Sequence, residues 1–173
     1  LALLQPNALT GSLLHVVFHA CTKACLFLCA GAVIYRTGKT RTDQLAGIGK
    51  EMPVTIWCYS IASLALIGIP PASGFISKWY LAEGALNSGI SVFAVLGPVI
   101  LLISALLTAG YLLPISMKGF LPGKDFDYAH LTSKEPNGCM VLPVAVLSFL
   151  ALILGIFCGP LVQYVEKIVE VIL

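Results

Sequence analysis

Charged side chains are scarce in this sequence: they make up 10% of its 173 residues, against 58% that are hydrophobic. A water-soluble domain ordinarily carries about 25% charged residues. So little charge cannot cover a water-facing surface, and the surrounding solvent must be largely lipid. The charge that is present favours neither sign strongly, with ten Lys and Arg against eight Asp and Glu for a net +2. That removes the concentrated basic footprint that nucleic-acid binding needs. No dinucleotide fingerprint, cofactor motif or iron–sulfur cysteine pattern occurs. Redox chemistry is therefore not written here, no cofactor is expected, and no residue is singled out as catalytic. Residues 1–10, LALLQPNALT, lack an initiating methionine and the basic n-region of a signal peptide; the expectation is a piece of a longer chain.

Cysteine is not lacking, and six residues could suggest a disulfide framework. But Cys21, Cys25, Cys29, Cys58 and Cys158 lie inside apolar runs, where free cysteine packs as a small hydrophobe.

Four apolar stretches dominate. The first, Ser12 to Tyr35, holds one formal charge, Lys23. The others, Met52 to Ser77, Gly84 to Met117 and Asn137 to Val165, hold none. Each exceeds the roughly 20 apolar residues that a membrane-spanning helix needs. A transmembrane barrel would alternate in segments of about 10 residues, and these runs do not alternate. The expected fold is an all-α integral membrane protein of about four transmembrane helices.

The linkers carry the charge. Residues 36–51 supply Arg36, Lys39, Arg41 and Lys50, and residues 118–139 supply Lys118, Lys124 and Lys134. If each span crosses once, both linkers fall on one side, opposite the short turn near Asn87–Ser91. Basic residues accumulate in cytoplasmic loops. The prediction is a multi-pass protein of the cell (inner) membrane with both linkers cytoplasmic. His130 lies in the second linker and reads as solvated.

The second span is interrupted by GIPPASG. Pro70 and Pro71 remove two backbone donors and clash with the preceding turn, while Gly68 and Gly74 loosen the backbone on either side. The expectation is a helix broken near mid-membrane, with halves at about 53–69 and 75–89. Backbone broken at that depth survives only against protein or a water-filled cavity. Pro98 and Pro114 of the third span read as kinks or ends. In the fourth, Gly155 and Gly159 form GxxxG, a close-packing motif, ahead of Pro160.

His15, His19 and Lys23 are spaced four apart. Each step turns a helix by about 400°, so the three form a ladder on one face, about 12 Å from end to end. A lysine near the middle of a span costs about 2.5–3.5 kcal/mol on insertion scales. Histidine titrates near neutral pH. Groups that each hold or release a proton suit a relay. The plainer alternative is a pair of interhelical hydrogen-bonding histidines with a snorkelling Lys23. A metal held by His15, His19 and a cysteine is disfavoured, because Cys21 lies about 200° round the helix from His19. Lys78 follows the break directly and is expected at the start of the second half-helix, where the positive end of the dipole is a poor place for a cation. Lys78 therefore reads as part of a proton path; the alternative is an interfacial anchor with Trp79 and Tyr80. Glu83 reads as a solvated helix-end charge or an accessory to the path.

The strings HVVFHACTKACLFLCAGAVIY, DQLAGIGKEMP and ALIGIPPASGFISKWYLAEGAL closely resemble the antiporter-like membrane subunits. These are the proton-pumping subunits of respiratory complex I, the large subunits of Mrp-type sodium/proton antiporters, and their membrane-bound hydrogenase relatives. The resemblance covers roughly residues 10–117. It implies two inverted repeats, each with a broken helix and a buried lysine, of which residues 1–117 would be the end of the second repeat plus a following helix, with a broken helix at about 53–89. Residues 118–139 would be a cytoplasmic loop and 140–173 a final helix and tail. The resemblance implies that His19 and Lys23 form the central relay, with His15 at a position often histidine, and that Lys78 leads towards the exit half-channel. The first repeat's glutamate and lysine are absent, and cysteines replace bulky apolar residues around the histidines. Lysine followed by tryptophan after the break leans towards the Mrp and hydrogenase side. The function implied is translocation of protons, or of sodium and protons, by a non-redox coupling subunit among other membrane subunits in the lipid bilayer. The alternatives are a small stand-alone transporter or channel, and a structural subunit without transport.

Overall fold

The computed structural model describes residues 5–123 and 132–173; Leu1, Lys124 and His130 lie outside them. The described residues are helical without strands. In order they are α1 (Pro6–Thr37), a 3-10 turn (Thr42–Leu45), α2 (Ile48–Glu51), α3 (Pro53–Ile67), α4 (Ser73–Leu86), α5 (Ser91–Phe120), α6 (Gly138–Ile156) and α7 (Gly159–Ile172). Three of them, α1, α5 and α6, are long and apolar enough to cross a membrane, and α3 is a shorter apolar helix.

Helix α1 starts with Pro6 in its first turn, where a missing N–H costs nothing. It ends at Gly38, whose φ of 68° lets its N–H turn back to the Ile34 carbonyl. Its 32 residues span about 48 Å, more than the ~30 Å of a bilayer core. One stripe, including Leu14, Phe18, Thr22, Cys25 and Cys29, is buried. The opposite stripe, including Val16, Val17, Phe27 and Leu28, is exposed yet apolar. In α5 only Leu112 and Gly119 are buried. Apolar exposure on that scale is untenable in water and ordinary in lipid. Pro98 and Pro114 lie inside α5, which runs through both.

The break is where the sequence placed it, with somewhat shorter halves. Helix α3 ends at Gly68, in the left-handed region with φ 93°. Four residues, Ile69 to Ala72, cross to α4. A Cβ on Gly74 would overlap the carbonyl oxygen of Ala65. Only glycine lets the second half start against the last turns of the first.

The fourth apolar run is two helices rather than one. The ring of Pro160 cannot continue α6, because it would meet the carbonyl four residues back, that of Ile156, and α6 ends there. Helix α7 then lays Val162, Val165 and Val169 against Leu9, Leu14 and Phe18 of α1.

The two long linkers meet at one end of the bundle. Gly47 N–H donates to the Lys118 carbonyl at 3.0 Å, and Lys134 N–H to the Glu51 carbonyl at 2.8 Å. Arg36 Nε donates to the Lys134 carbonyl at 3.0 Å. The buried Glu51 carboxylate takes Lys39 and Lys134 on its two oxygens, each at 3.4 Å.

Candidate functional site

The site forms where α1 crosses the break between α3 and α4. Small residues bring α1 and α4 together: a Cβ on Gly11 would fall 2.7 Å from the Leu81 nitrogen, and one on Gly84 would meet Ala8. That close approach sets His15 against Ser77. His15 Nδ1 lies 2.9 Å from the Ser77 hydroxyl, which is buried and donates in turn to the Gly74 carbonyl at 3.2 Å. Ser77 thus links the His15 ring to the first turn of α4. Ser77→Ala removes this link without adding bulk. It should lower stability by about 0.5–1.5 kcal/mol, the net worth of one hydrogen bond, read as a drop in the thermal midpoint of the detergent-solubilised protein.

His15 and His19 stack with ring centroids 5.4 Å apart. Lys23 Nζ lies 6.0 Å from the centre of the Phe27 ring. The ladder is therefore on one face, but it is not uniformly buried: His15 and Lys23 are half-buried and His19 is exposed on this chain.

Lys78 is the sixth residue of α4, past its first turn. Its Nζ reaches back to the open C-terminus of α3 and donates to the Leu66 carbonyl at 3.0 Å and the Ile67 carbonyl at 2.6 Å. This corrects the expectation of an ammonium set against the positive end of α4. The group sits instead at the negative end of α3, where a helix dipole favours a cation. Gly68 makes the reach possible, since a Cβ there would stand 2.9 Å from Lys78 Cδ and 3.3 Å from Nζ. Trp79 is exposed and stacks near Phe75 at 5.9 Å, so the tryptophan faces outward while the lysine turns in.

The histidine pair and Lys78 adjoin. A cavity of about 10 Å³ is lined by His15, Phe18, His19, Thr22, Ala65, Leu66 and Gly74, roughly the space one water needs. Leu66 lines it and also offers its carbonyl to Lys78. On the other side, an apolar groove of about 310 Å³ reaches Lys78 between Phe75, Trp79, Pro98 and Leu101. Pro70 and Pro71 are exposed at the break, joined by a cis peptide bond. Glu83 is half-buried, and five residues on from Lys78 it lies about 140° round α4 from it.

Cys25, Cys29 and Cys58 are buried in one apolar cluster with Leu26, Tyr59, Leu66 and Val144. Among the described residues no group of three or more His, Cys, Asp or Glu is placed to hold a metal ion.

Sequence reasoning passed over Ser77 and Glu135 and noted Gly155 only as part of a close-packing motif. Ser77 partners His15. Gly155 of α6 lies against the break, where a Cβ would overlap the backbone of Pro71, Ala72 and Ser73. Glu135 accepts hydrogen bonds at the start of α3. Only Gly155 carried a signal, as half of a GxxxG.

A multi-pass helical membrane protein, with a discontinuous helix whose open end is capped by a lysine beside a histidine pair, is the class that fold and site define. The family model described as NADH:quinone oxidoreductase/Mrp antiporter, TM, matches residues 1–117, and the chain belongs to that family. It is 38% identical over 160 residues to NADH-quinone oxidoreductase subunit N of Desulforudis audaxviator, covering 87% of this chain and 31% of that one. It is 29% identical over 168 residues to a Na(+)/H(+) antiporter subunit of Bacillus subtilis, covering 97% and 33%. Among solved structures, the Mrp complex from Dietzia superposes with a TM-score of 0.81 at 24% identity, over 97% of this chain and 38% of that one, a likeness of fold. The chain thus spans about a third of the length of these relatives.

Proposed function

We propose that this chain carries part of a proton path through a multisubunit membrane complex, with Lys23 and His19 as a central station and Lys78 as a second. The observation that carries the reading is the Lys78 ammonium seated on the Leu66 and Ile67 carbonyls, next to a cavity shared with both histidines. A proton arriving at His19 has His15 stacked beside it. A water in the cavity would touch His15, His19 and the Leu66 face at once. Lys78 can take the proton while its carbonyl partners hold the charge; on release the neutral amine keeps two N–H groups for those carbonyls and loses only the charge assistance.

The name of the Na(+)/H(+) antiporter relative extends the reading to exchange of sodium against protons, and the word subunit in both relatives' names to neighbouring membrane subunits as partners. The joined basic linkers, residues 36–51 and 118–139, would face the cytoplasm by the positive-inside rule. The exposed apolar faces of α1 and α5 would meet lipid or those subunits.

Lys23→Ala, in the assembled complex reconstituted into proteoliposomes, tests the reading. Proton uptake should fall to background while the subunit still inserts at its normal level. Transport at the full rate would overturn the path through α1.

A further inference from the structure

Helix α3 is held at both ends by charged side chains that arrive from elsewhere in the chain. Lys78 occupies its C-terminus. Its N-terminus is occupied by Glu135, from the segment just before α6. Glu135 Oε1 accepts the Thr55 backbone N–H at 2.8 Å and the Thr55 hydroxyl at 2.6 Å. Thr55 is the third residue of α3, so this N–H is one of those a helix cannot satisfy internally. An acid at the N-terminus and a cation at the C-terminus is the arrangement a helix dipole favours.

Local capping does not account for a full carboxylate here. A neutral serine or asparagine caps as well as an acid. Moreover, Glu135 Oε2 is buried with no protein partner among the described residues, and leaving such a group unpaired is costly. The segment that bears Glu135 is itself fixed, with its neighbour Lys134 tied to Glu51 and Arg36. Between its two charged ends α3 contains neither glycine nor a second proline. It is packed by α1, α5 and α6. It is a stiff rod of about 22 Å.

We propose that Glu135 is a positioning residue for Lys78: it fixes α3 from the far end, so that the Leu66 and Ile67 carbonyls stay in register with the ammonium. The proposal rests on the reading of Lys78 as a proton station. Glu135 lies beyond residues 1–117, the part the family model matches.

The test compares Glu135→Gln, Glu135→Asp and Lys78→Ala in the assembled complex, by amide hydrogen exchange across residues 53–69 and by proton transport in proteoliposomes. Glutamine keeps an acceptor for Thr55 but loses the charge. Glu135→Gln should speed exchange at Gly68 and Ile69, whose N–H groups bond the Leu64 carbonyl, a few-fold, the change that losing a charge at a helix end produces. Transport should fall several-fold, and Glu135→Asp should recover most of both. Faster exchange confined to residues 54–56, with transport unchanged, would reduce Glu135 to a local cap and overturn the proposal. Failure of the path reading is seen separately, as full-rate transport in Lys78→Ala, since exchange at Gly68 and Ile69 reports the coupling whether or not protons move.

Discussion

Lys78→Arg should stop transport while leaving the subunit inserted and nearly as stable as before. Arginine stays protonated at any pH a protein meets, so it can keep a donor on the Leu66 and Ile67 carbonyls but cannot pass a proton on. Lys78→Ala should lose both properties. It takes away two charge-assisted hydrogen bonds, each worth about 1.5–3 kcal/mol, and leaves two carbonyls at the end of α3 without that partner. Its thermal midpoint should therefore fall by several degrees, with transport at background. The pair of variants separates the cap from the proposed relay: capping follows the charge, and relay would follow the ability to lose it. Equal transport by Lys78→Arg and the unsubstituted protein would show that the lysine is only a cap. The measurements are proton flux in proteoliposomes and thermal unfolding of the same preparations.

The arrangement around Lys78 was half legible in the sequence. The scarcity of charge set the solvent, and four long apolar runs set the helices, because lipid leaves a backbone no other partner than itself. GIPPASG located the break, since two prolines and two glycines leave a helix little choice. The four-residue spacing put His15, His19 and Lys23 on one face. What the sequence could not supply was which face that was, and what stood opposite. His15 finds Ser77 because α1 and α4 close on Gly11 and Gly84, a pairing that no local pattern encodes. The direction of Lys78 was misjudged for a similar reason. Its place in the sequence sets it near the start of α4, but the backbone turns at Gly68 and brings the end of α3 within reach of a long side chain. Glu135 looked like one more charge in a polar linker, and its meaning depends on a contact 80 residues away. The final helix was overextended because the apolar composition continues through Phe157 and Cys158; Pro160, not hydropathy, marked the end.

The two glycines of the GxxxG should respond very differently to the same change. Gly155 sits where α6 meets the break, and any Cβ there would overlap the backbone of Pro71, Ala72 and Ser73. Nothing lies near enough to Gly159 to meet one. Gly155→Ala must therefore push α6 away from the interruption or shift the interruption itself, an overpacking that typically costs about 1–3 kcal/mol. The displaced atoms are main chain, with no flexible side chain to give way, so the upper part of that range is expected. The break also sets the distance from Gly74 and Ser77 to His15, so transport should fall with stability, and Gly155→Leu should fail to assemble. Gly159→Ala should leave transport unchanged and stability no lower, since alanine is the better helix former by about 1 kcal/mol in a helix interior and Gly159 opens α7. Thermal midpoints and proton flux measured on the two alanine variants side by side check the claim. Equal behaviour of the pair would mean that α6 does not rest on the break.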